Sequence, residues 1–105
     1  MFNVLLALAD GDKHGYAILK EVESHTAGEV QLSTGTLYGI IKRLLEEGLI
    51  VEVTGRLATP QDDQRRRYYR LTANGRGVAV EEARRLEKLL ARARSKRLLQ
   101  ALKGA

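Results

Sequence analysis

A chain of 105 residues, 44% of them hydrophobic, is long enough for one domain with a modest core and too apolar to be disordered. It has no cysteine, which excludes disulfides, thiolate zinc sites and thiol nucleophiles, and its five aromatic residues are too few for an aromatic-lined ligand cavity. The net charge of +5 is uneven, because residues 1–55 carry −4 and residues 56–105 carry +9. This asymmetry is typical of a nucleic-acid-binding surface, and equally of an arginine-rich surface that only meets water.

The first segment, residues 2–9, has the apolar composition of a short helix and ends at Asp10-Gly11-Asp12. Its likeness to the hydrophobic part of an export signal is weak, because no basic segment precedes it and acidic residues follow directly. No segment approaches the roughly 20 apolar residues that a membrane span needs. We therefore expect a cytoplasmic protein.

Two further helices are predicted in the first half of the chain. One runs from about His14 to Thr26, with Gly28 just past its last turn as a helix stop. The next runs from Ser33 to Glu47, and Ser33 is a natural N-cap because its hydroxyl can accept a hydrogen bond from an amide of the first turn. One stripe of this helix is apolar at helical spacing and predicts contact with the core, at Leu37, Ile41, Leu44 and Leu45.

The other face of the same helix combines small, polar and basic residues, namely Gly35, Thr36, Gly39, Lys42 and Arg43. Such a face suits the major groove of double-stranded DNA, where Thr36 could reach a base edge or a phosphate and the two cations could reach phosphates. Two glycines in an exposed helix cost about 1 kcal/mol each relative to alanine, which favours a surface that must be lean. The alternative is the solvated face of an ordinary amphipathic helix. Tyr38, at the border of the apolar stripe, could bind a phosphate or pack beneath the helix.

A β-hairpin is predicted after Gly48, which provides the left-handed cap that ends the helix. In its first strand Leu49, Val51 and Val53 share one face, which is the period-2 pattern of a half-buried strand. Residues 55–64 form a polar loop, and residues 67–71 return as the antiparallel partner.

In the returning strand we expect Tyr69 and Leu71 to point inward and Arg70 to point outward. Four arginines flank the loop and could lie along phosphates or in a minor groove of DNA: Arg56, Arg65, Arg66 and Arg67. The alternative is a solvated hairpin whose charged edges discourage aggregation.

A last helix is predicted after Thr72, which is its N-cap. Small and apolar residues recur along it at steps of three and four, which is the seam of a coiled-coil contact: Ala79, Ala83, Leu86, Leu90 and Ala93. Because a monomer would leave this stripe in water, the pattern predicts a dimer. Beyond it the polar run 94–97 interrupts the spacing, so we expect a break near Ser95 and then a short terminal helix.

No residue set predicts catalysis or a cofactor. His14 and His25 with Asp10 and Asp12 could be imagined as a metal site, but their spacing matches no strong motif. We instead expect His14 to tether the start of the second helix and His25 to suit a helix C-terminus. No Ser-His-Asp, Cys-His or paired-carboxylate set is evident, so we expect no enzyme, no metal and no cofactor.

Several segments together resemble the PadR family of bacterial transcriptional regulators, in its short form with a single C-terminal helix. They are His14-Gly15-Tyr16, residues 32–38 with the sequence LSTGTLY, Lys42-Arg43-Leu44, residues 46–50 with the sequence EEGLI, and residues 67–72 with the sequence RYYRLT together with Gly75. The resemblance implies a winged-helix homodimer, joined mainly through the last helix, that usually represses transcription. It also implies that wing arginines meet DNA beside Ser33, Thr34, Gly35, Thr36, Tyr38 and Lys42.

This sequence departs from the family pattern in three respects. Family members often have proline where this chain has Thr34 and Gly39, and members that sandwich planar drugs use a tryptophan in the last helix, whereas this chain has no tryptophan. A drug-binding pocket of that type is therefore not expected. The chain also begins close to the first helix, so an N-terminal arm that adds to the dimer in relatives is expected to be short or missing.

The prediction is a mainly α fold with a small β-hairpin: a winged helix-turn-helix DNA-binding domain in residues 1–71 and a C-terminal dimerisation helix in residues 72–105. Its expected function is sequence-specific regulation of transcription, as a repressor, by a homodimer on a pseudo-palindromic operator in double-stranded DNA. Release by a small-molecule effector is compatible with the sequence, which identifies none. The alternative is a winged-helix module that binds another protein.

Overall fold

The structure, a computed structural model, describes residues 1–53 and 67–99. These residues form four helices and three strands in the order α1 (Phe2–Ala7), β1 (Lys13–His14), α2 (Gly15–His25), α3 (Thr34–Glu46), β2 (Ile50–Val53), β3 (Tyr68–Leu71) and α4 (Ala73–Ser95). The four predicted helices before residue 96 are present, with ends that differ by one or two residues. No helix among the described residues is long and apolar enough to cross a membrane.

The strands form an antiparallel sheet in the order β1-β3-β2, with Glu52 opposite Tyr69 and Lys13 opposite Tyr69 on its other side. The predicted hairpin is confirmed, and β1, which was not predicted, adds a third strand beside β3. A two-residue strand directly before a helix carries no period-2 pattern, and it is a strand only because β3 pairs with it.

The core lies where α1, α2 and α3 meet the sheet. Leu37, Ile41 and Leu44 of α3 are buried, as their spacing predicted, and Leu45 is partly buried against them. Tyr69 is buried, Leu71 packs on the core and Arg70 is exposed, which confirms the predicted orientation of β3. The remaining buried apolar side chains come from α1 and its C-cap, from α2, and from the turn before β2 and its first residue: Val4, Leu5, Ala7, Leu8, Ile18, Val22, Leu49 and Ile50.

The alternation predicted for the first strand of the hairpin does not describe which side chains are buried. Leu49 and Ile50 are both buried although they are consecutive, and Val51 is 44% exposed. The reason is that Leu49 lies before β2, in the turn after Gly48, where the chain has not yet adopted the strand pleat. Gly48 itself has a φ of +75°, which confirms the predicted left-handed cap.

The start of α4 packs closely on the turn between α3 and β2. Thr72 caps α4 by accepting from the Gly75 amide at 2.9 Å, and its hydroxyl donates to the Gly48 carbonyl at 2.8 Å. A Cβ on Gly75 would overlap the Leu49 carbonyl oxygen, so only glycine fits there. The predicted cap at Thr72 is confirmed.

The rest of α4 extends from this joint and is largely exposed. The helix ends at Ser95, as predicted, and Arg97 then adopts a left-handed conformation with a φ of +66°. Residues 96–99 are not helical, so the predicted terminal helix does not begin there, and residues 100–105 lie outside the described part of the chain.

Candidate nucleic-acid interface

The first turn of α3 is organised by Ser33. Its hydroxyl oxygen accepts from the Thr36 amide at 3.0 Å, which confirms the predicted N-cap, and it donates to the Thr36 hydroxyl oxygen, also at 3.0 Å. Because Thr36 accepts in this pair, its own hydroxyl hydrogen points to no partner within the pair and can be donated elsewhere. The first two turns are exposed at Ser33, Thr34, Gly35, Thr36, Tyr38 and Gly39.

Two residues on the exposed face of α3 are glycines, Gly35 and Gly39, and contribute no side chain to that face. A Cβ built on Gly35 or on Gly39 would meet no atom within 4 Å, apart from close neighbours in the chain and the helix backbone. Neither residue has the positive φ that would require glycine. Nothing within the described residues therefore explains glycine at these two positions, although each costs about 1 kcal/mol relative to alanine in an exposed helix.

Cations lie on the following turns of α3 and at the start of β3. Lys42 is exposed and makes no ion pair with any described residue. Arg43 is exposed and pairs with Glu47 through an Nε–Oε2 distance of 3.1 Å, one turn along the helix. Arg67 is exposed, with its guanidinium 3.7 Å from the Glu52 carboxylate on the neighbouring strand. The remaining predicted wing contacts, Arg56, Arg65 and Arg66, lie outside the described residues.

Tyr38 packs on one side and is exposed on the other, and its contact with a phosphate stays a prediction. Its ring lies against Gly15 at the start of α2, with the hydroxyl oxygen and Cζ nearest to that glycine. The side chain nevertheless remains 46% exposed. Tyr38 also lies near Tyr69, whose pKa is raised mainly by burial and then by the neighbouring Tyr38 and Glu52. The ring therefore contacts α2 while part of it faces solvent.

Charged and aromatic contacts join the segment before α2 to β3. Arg70 binds Asp12 through two hydrogen bonds of 3.0 Å each, and this pairing raises the pKa of Arg70. His14 caps α2 by accepting the Ala17 amide on Nδ1 at 3.2 Å, as its predicted tethering role requires, and its ring meets Tyr68 edge to face at a centroid distance of 5.3 Å. These contacts hold β3 beside β1 and so fix the base of the hairpin against α2.

The sequence did not indicate the Asp12–Arg70 pair. Its members are 58 residues apart, and the chain contains many other acidic and basic residues, so no local pattern selects them. Among residues 1–53 and 67–99, no group of three or more His, Asp or Glu side chains is placed to hold a metal ion. His14 lies at the N-terminus of α2 and His25 in its last turn, as expected from the sequence.

A second exposed surface lies along α4. An open groove of about 420 Å³ is lined by Val80, Ala83, Arg84, Leu86, Glu87 and Leu90. Three residues of the predicted seam thus lie together and exposed, whereas Ala79 packs on the core of its own domain and Ala93 is half-buried. Val78 and Leu89 are also exposed, so the apolar surface is broader than the predicted seam.

Comparisons with known proteins agree with this architecture. The sequence model of the transcriptional regulator PadR-like family matches residues 4–81. The transcriptional regulator Rv3488 of Mycobacterium tuberculosis is 34% identical over 87 residues, which cover 83% of this chain and 75% of that protein. The structure of a transcriptional regulator from Clostridium thermocellum superimposes with a TM-score of 0.73 at 28% identity, over 93% of this chain and 88% of the other.

Bacillus subtilis PadR, solved in complex with operator DNA, shares the fold with a TM-score of 0.65 at 22% identity, over 78% of this chain and 44% of that one. Two of these three proteins are named transcriptional regulators, and the third was solved with operator DNA. The family match covers well over half of the chain and includes α3, the sheet and the start of α4. The chain therefore belongs to the PadR-like family of transcriptional regulators.

Proposed function

We propose that this chain is a repressor that binds double-stranded DNA as a homodimer. In this proposal residues 1–71 bind the DNA, and residues 72–105 join the two subunits. The DNA-facing surface consists of Ser33, Thr34, Gly35, Thr36, Tyr38, Gly39, Lys42 and Arg43 on and before α3, together with Arg56, Arg65, Arg66 and Arg67 of the hairpin. We call this set the reading surface.

The observation that carries the proposal is the presence of two glycines on the exposed face of α3. Gly35 and Gly39 reduce the stability of the helix and are not needed for any packing within the described residues. Because these glycines have no side chains, the backbone of a helix that enters a groove of DNA can approach the base edges more closely. Thr36 between them can donate to a base, and Lys42 two turns later can reach a phosphate.

The fold supports this assignment. In helix-turn-helix proteins the second helix of the pair lies in the major groove, and α3 is the second helix here. The protein from Bacillus subtilis with the same fold was solved with operator DNA. A shared fold does not by itself fix a function, so the character of the α3 surface is what favours DNA over a protein partner.

The homodimer is supported by the groove on α4. Leu86 and Leu90 are 39% and 38% exposed and lie with Val80 and Ala83 on a helix that projects from the domain. Because each leucine exposes about two-fifths of its surface, covering it with a second copy would contribute about 0.6–1.2 kcal/mol, which is that share of the value for a fully exposed side chain. A twofold axis along α4 would direct the two reading surfaces to half-sites about one helical turn apart, and hence to a pseudo-palindromic operator. A small molecule bound at this seam could change the spacing of the two surfaces, which is how we propose that an effector would release the DNA.

The test is fluorescence anisotropy with labelled DNA from upstream of the gene, with unlabelled unrelated duplex as competitor, at two salt concentrations. We expect binding that survives the competitor and weakens as salt rises, because phosphate contacts release counterions. Binding lost equally to competitor would indicate a basic surface without sequence preference. No binding even at low salt would contradict the proposal and favour a winged-helix module that binds another protein.

A matched pair of variants separates the reading surface from the overall charge. Lys42→Ala and Lys88→Ala remove the same charge, but Lys88 lies on α4, away from the reading surface. We expect only Lys42→Ala to weaken binding, uniformly across sequences, and to lower the salt slope by about 1. Equal losses in the two variants would show that net charge alone drives binding.

A further inference from the structure

Among the glycines that the structure describes, two lie where a side chain would collide with a neighbour, and the neighbours differ in kind. At Gly75 an added Cβ would meet the backbone carbonyl of Leu49, which cannot move without shifting β2. At Gly15 it would meet the hydroxyl oxygen and then Cζ of Tyr38, the latter at 2.8 Å. The obstacle at Gly15 is therefore the far end of a single side chain and no part of the backbone.

Glycine at position 15 is not required by the local backbone. Gly15 is the first residue of α2, and its φ lies outside the left-handed region that favours glycine. His14 already caps the helix through the Ala17 amide. The remaining reason for glycine is space, because Gly15 is buried by the ring of Tyr38.

The ring that uses this space belongs to the reading surface. Tyr38 is on α3, between the lean first turn and Lys42, and its half-exposed ring lies on the border between α2 and that surface. A methyl group on residue 15 would force the ring to rotate away, because Tyr38 is exposed enough to swing towards solvent. The fold would survive, but the phenolic hydroxyl would lie elsewhere.

We propose that Gly15 is a positioning residue for DNA binding: it makes room for the Tyr38 ring so that the Tyr38 hydroxyl is held ready to donate to a backbone phosphate. This inference rests on the proposed function of the chain. According to this inference, Gly15 of α2 orients a DNA contact that Tyr38 of α3 makes. This explains why α2 begins with glycine, a residue that weakens helices.

The test is a double-mutant cycle in the full chain with Gly15→Ala, Tyr38→Phe and the combination, with Gly77→Ala as control. Gly77 is also a helical glycine, and a Cβ there would meet nothing within 4 Å. The ligands are a labelled duplex selected from a random pool by the wild-type protein and an unrelated duplex at low salt. Isotope-labelled tyrosine reports the ring by NMR without DNA, and the Tyr38→Phe variant identifies the Tyr38 signals by their loss.

We expect Gly15→Ala to weaken binding to both duplexes roughly tenfold, as Tyr38→Phe does, because one hydrogen bond to a charged phosphate is lost. The combined variant should bind no more weakly than Tyr38→Phe alone. Gly77→Ala should bind as the wild type does, and Gly15→Ala should shift the Tyr38 resonances while melting no lower than the wild type.

Three results would overturn the inference: full affinity in Gly15→Ala, losses that add in the combined variant, or Tyr38 resonances that do not move. Failure of the wild-type protein to bind either duplex would instead overturn the proposed function. In that case the NMR comparison still decides whether Gly15 positions the Tyr38 ring, since it needs no DNA.

Discussion

The joint between α4 and the rest of the domain allows a sharp prediction: Gly75→Ala should destabilise the protein by about 3 kcal/mol. The added methyl would overlap the Leu49 carbonyl oxygen and lie 2.9 Å from both the Leu49 carbonyl carbon and Leu71 Cδ1. The first of these contacts is with backbone that is already engaged, because the Leu49 oxygen accepts the Thr72 amide at 3.0 Å. Relief of the clash therefore requires α4 to move away from the turn.

The magnitude follows from three effects. Forcing extra volume into a packed site costs about 1–3 kcal/mol, and the upper end applies because the obstacle is backbone. Moving α4 also weakens the hydrogen bonds that Thr72 makes with Gly48 and with the amide of residue 75, and loss of such a cap costs about 1 kcal/mol. Alanine returns up to about 1 kcal/mol through its higher helix propensity. The remaining loss of about 3 kcal/mol is large beside the roughly 5–15 kcal/mol that stabilises a typical domain.

The assay is urea unfolding followed by circular dichroism, at one fixed protein concentration because the stability of a dimer depends on it. Gly77→Ala is the matched control, since it lies on the same helix and its Cβ would meet nothing within 4 Å. We expect the midpoint of Gly75→Ala to fall by roughly 2 M urea and that of Gly77→Ala to stay or rise. If both variants unfolded at the same urea concentration, the close approach of Gly75 to Leu49 would not be a constraint and the reasoning would be wrong.

Three other predictions concern separate parts of the chain. Leu86→Asp should convert the dimer to a monomer in sedimentation velocity. Lys88→Asp, on the opposite face of α4, should leave the protein dimeric. If Leu86→Asp remained a dimer, Leu86 would not be part of the seam. Ala27→Gly should raise the free energy of unfolding by about 0.5–1 kcal/mol, because Ala27 has a φ of +55° that glycine adopts without strain; a loss of stability in urea would contradict this. Burial raises the pKa of Tyr69, so above about pH 10 the unfolded chain ionises first and stability falls as pH rises. Tyr69→Phe should reduce that alkaline loss in unfolding midpoints, whereas Tyr16→Phe, at an exposed tyrosine, should retain it.

Features set by neighbouring residues could be predicted from the sequence. The caps at Ser33 and Thr72 each depend on a hydroxyl and an amide three residues away, so the sequence places both partners together. The end of α4 at Ser95 likewise follows from a local change in spacing. The prediction of an apolar stripe on α3 is confirmed because one face of this helix is buried throughout.

Features that depend on residues far apart in the chain could not be predicted from the sequence. The strand at Lys13–His14 exists because β3 lies beside it, and nothing in two residues predicts that partner. The Asp12–Arg70 pair and the contact of Tyr38 with Gly15 depend on how α2, α3 and the sheet are arranged. Val51 shows the same limit in reverse, because its apolar character suggested burial, but no described element covers that side chain at the edge of the sheet.

The ion pairs also change how the positive charge should be interpreted. Arg70 is held by two hydrogen bonds to Asp12, whose side chain is only 16% exposed, so we expect this arginine to stabilise the fold rather than to contact DNA. Arg43 and Arg67 pair with exposed or partly exposed carboxylates at 3.1 and 3.7 Å, and such surface pairs are worth at most about 1 kcal/mol. A phosphate can therefore replace Glu47 or Glu52 at little cost. Among the described arginines, we therefore expect Arg43 and Arg67 to remain available to DNA, because their ion pairs are weak enough to exchange, whereas Arg70 stays with Asp12.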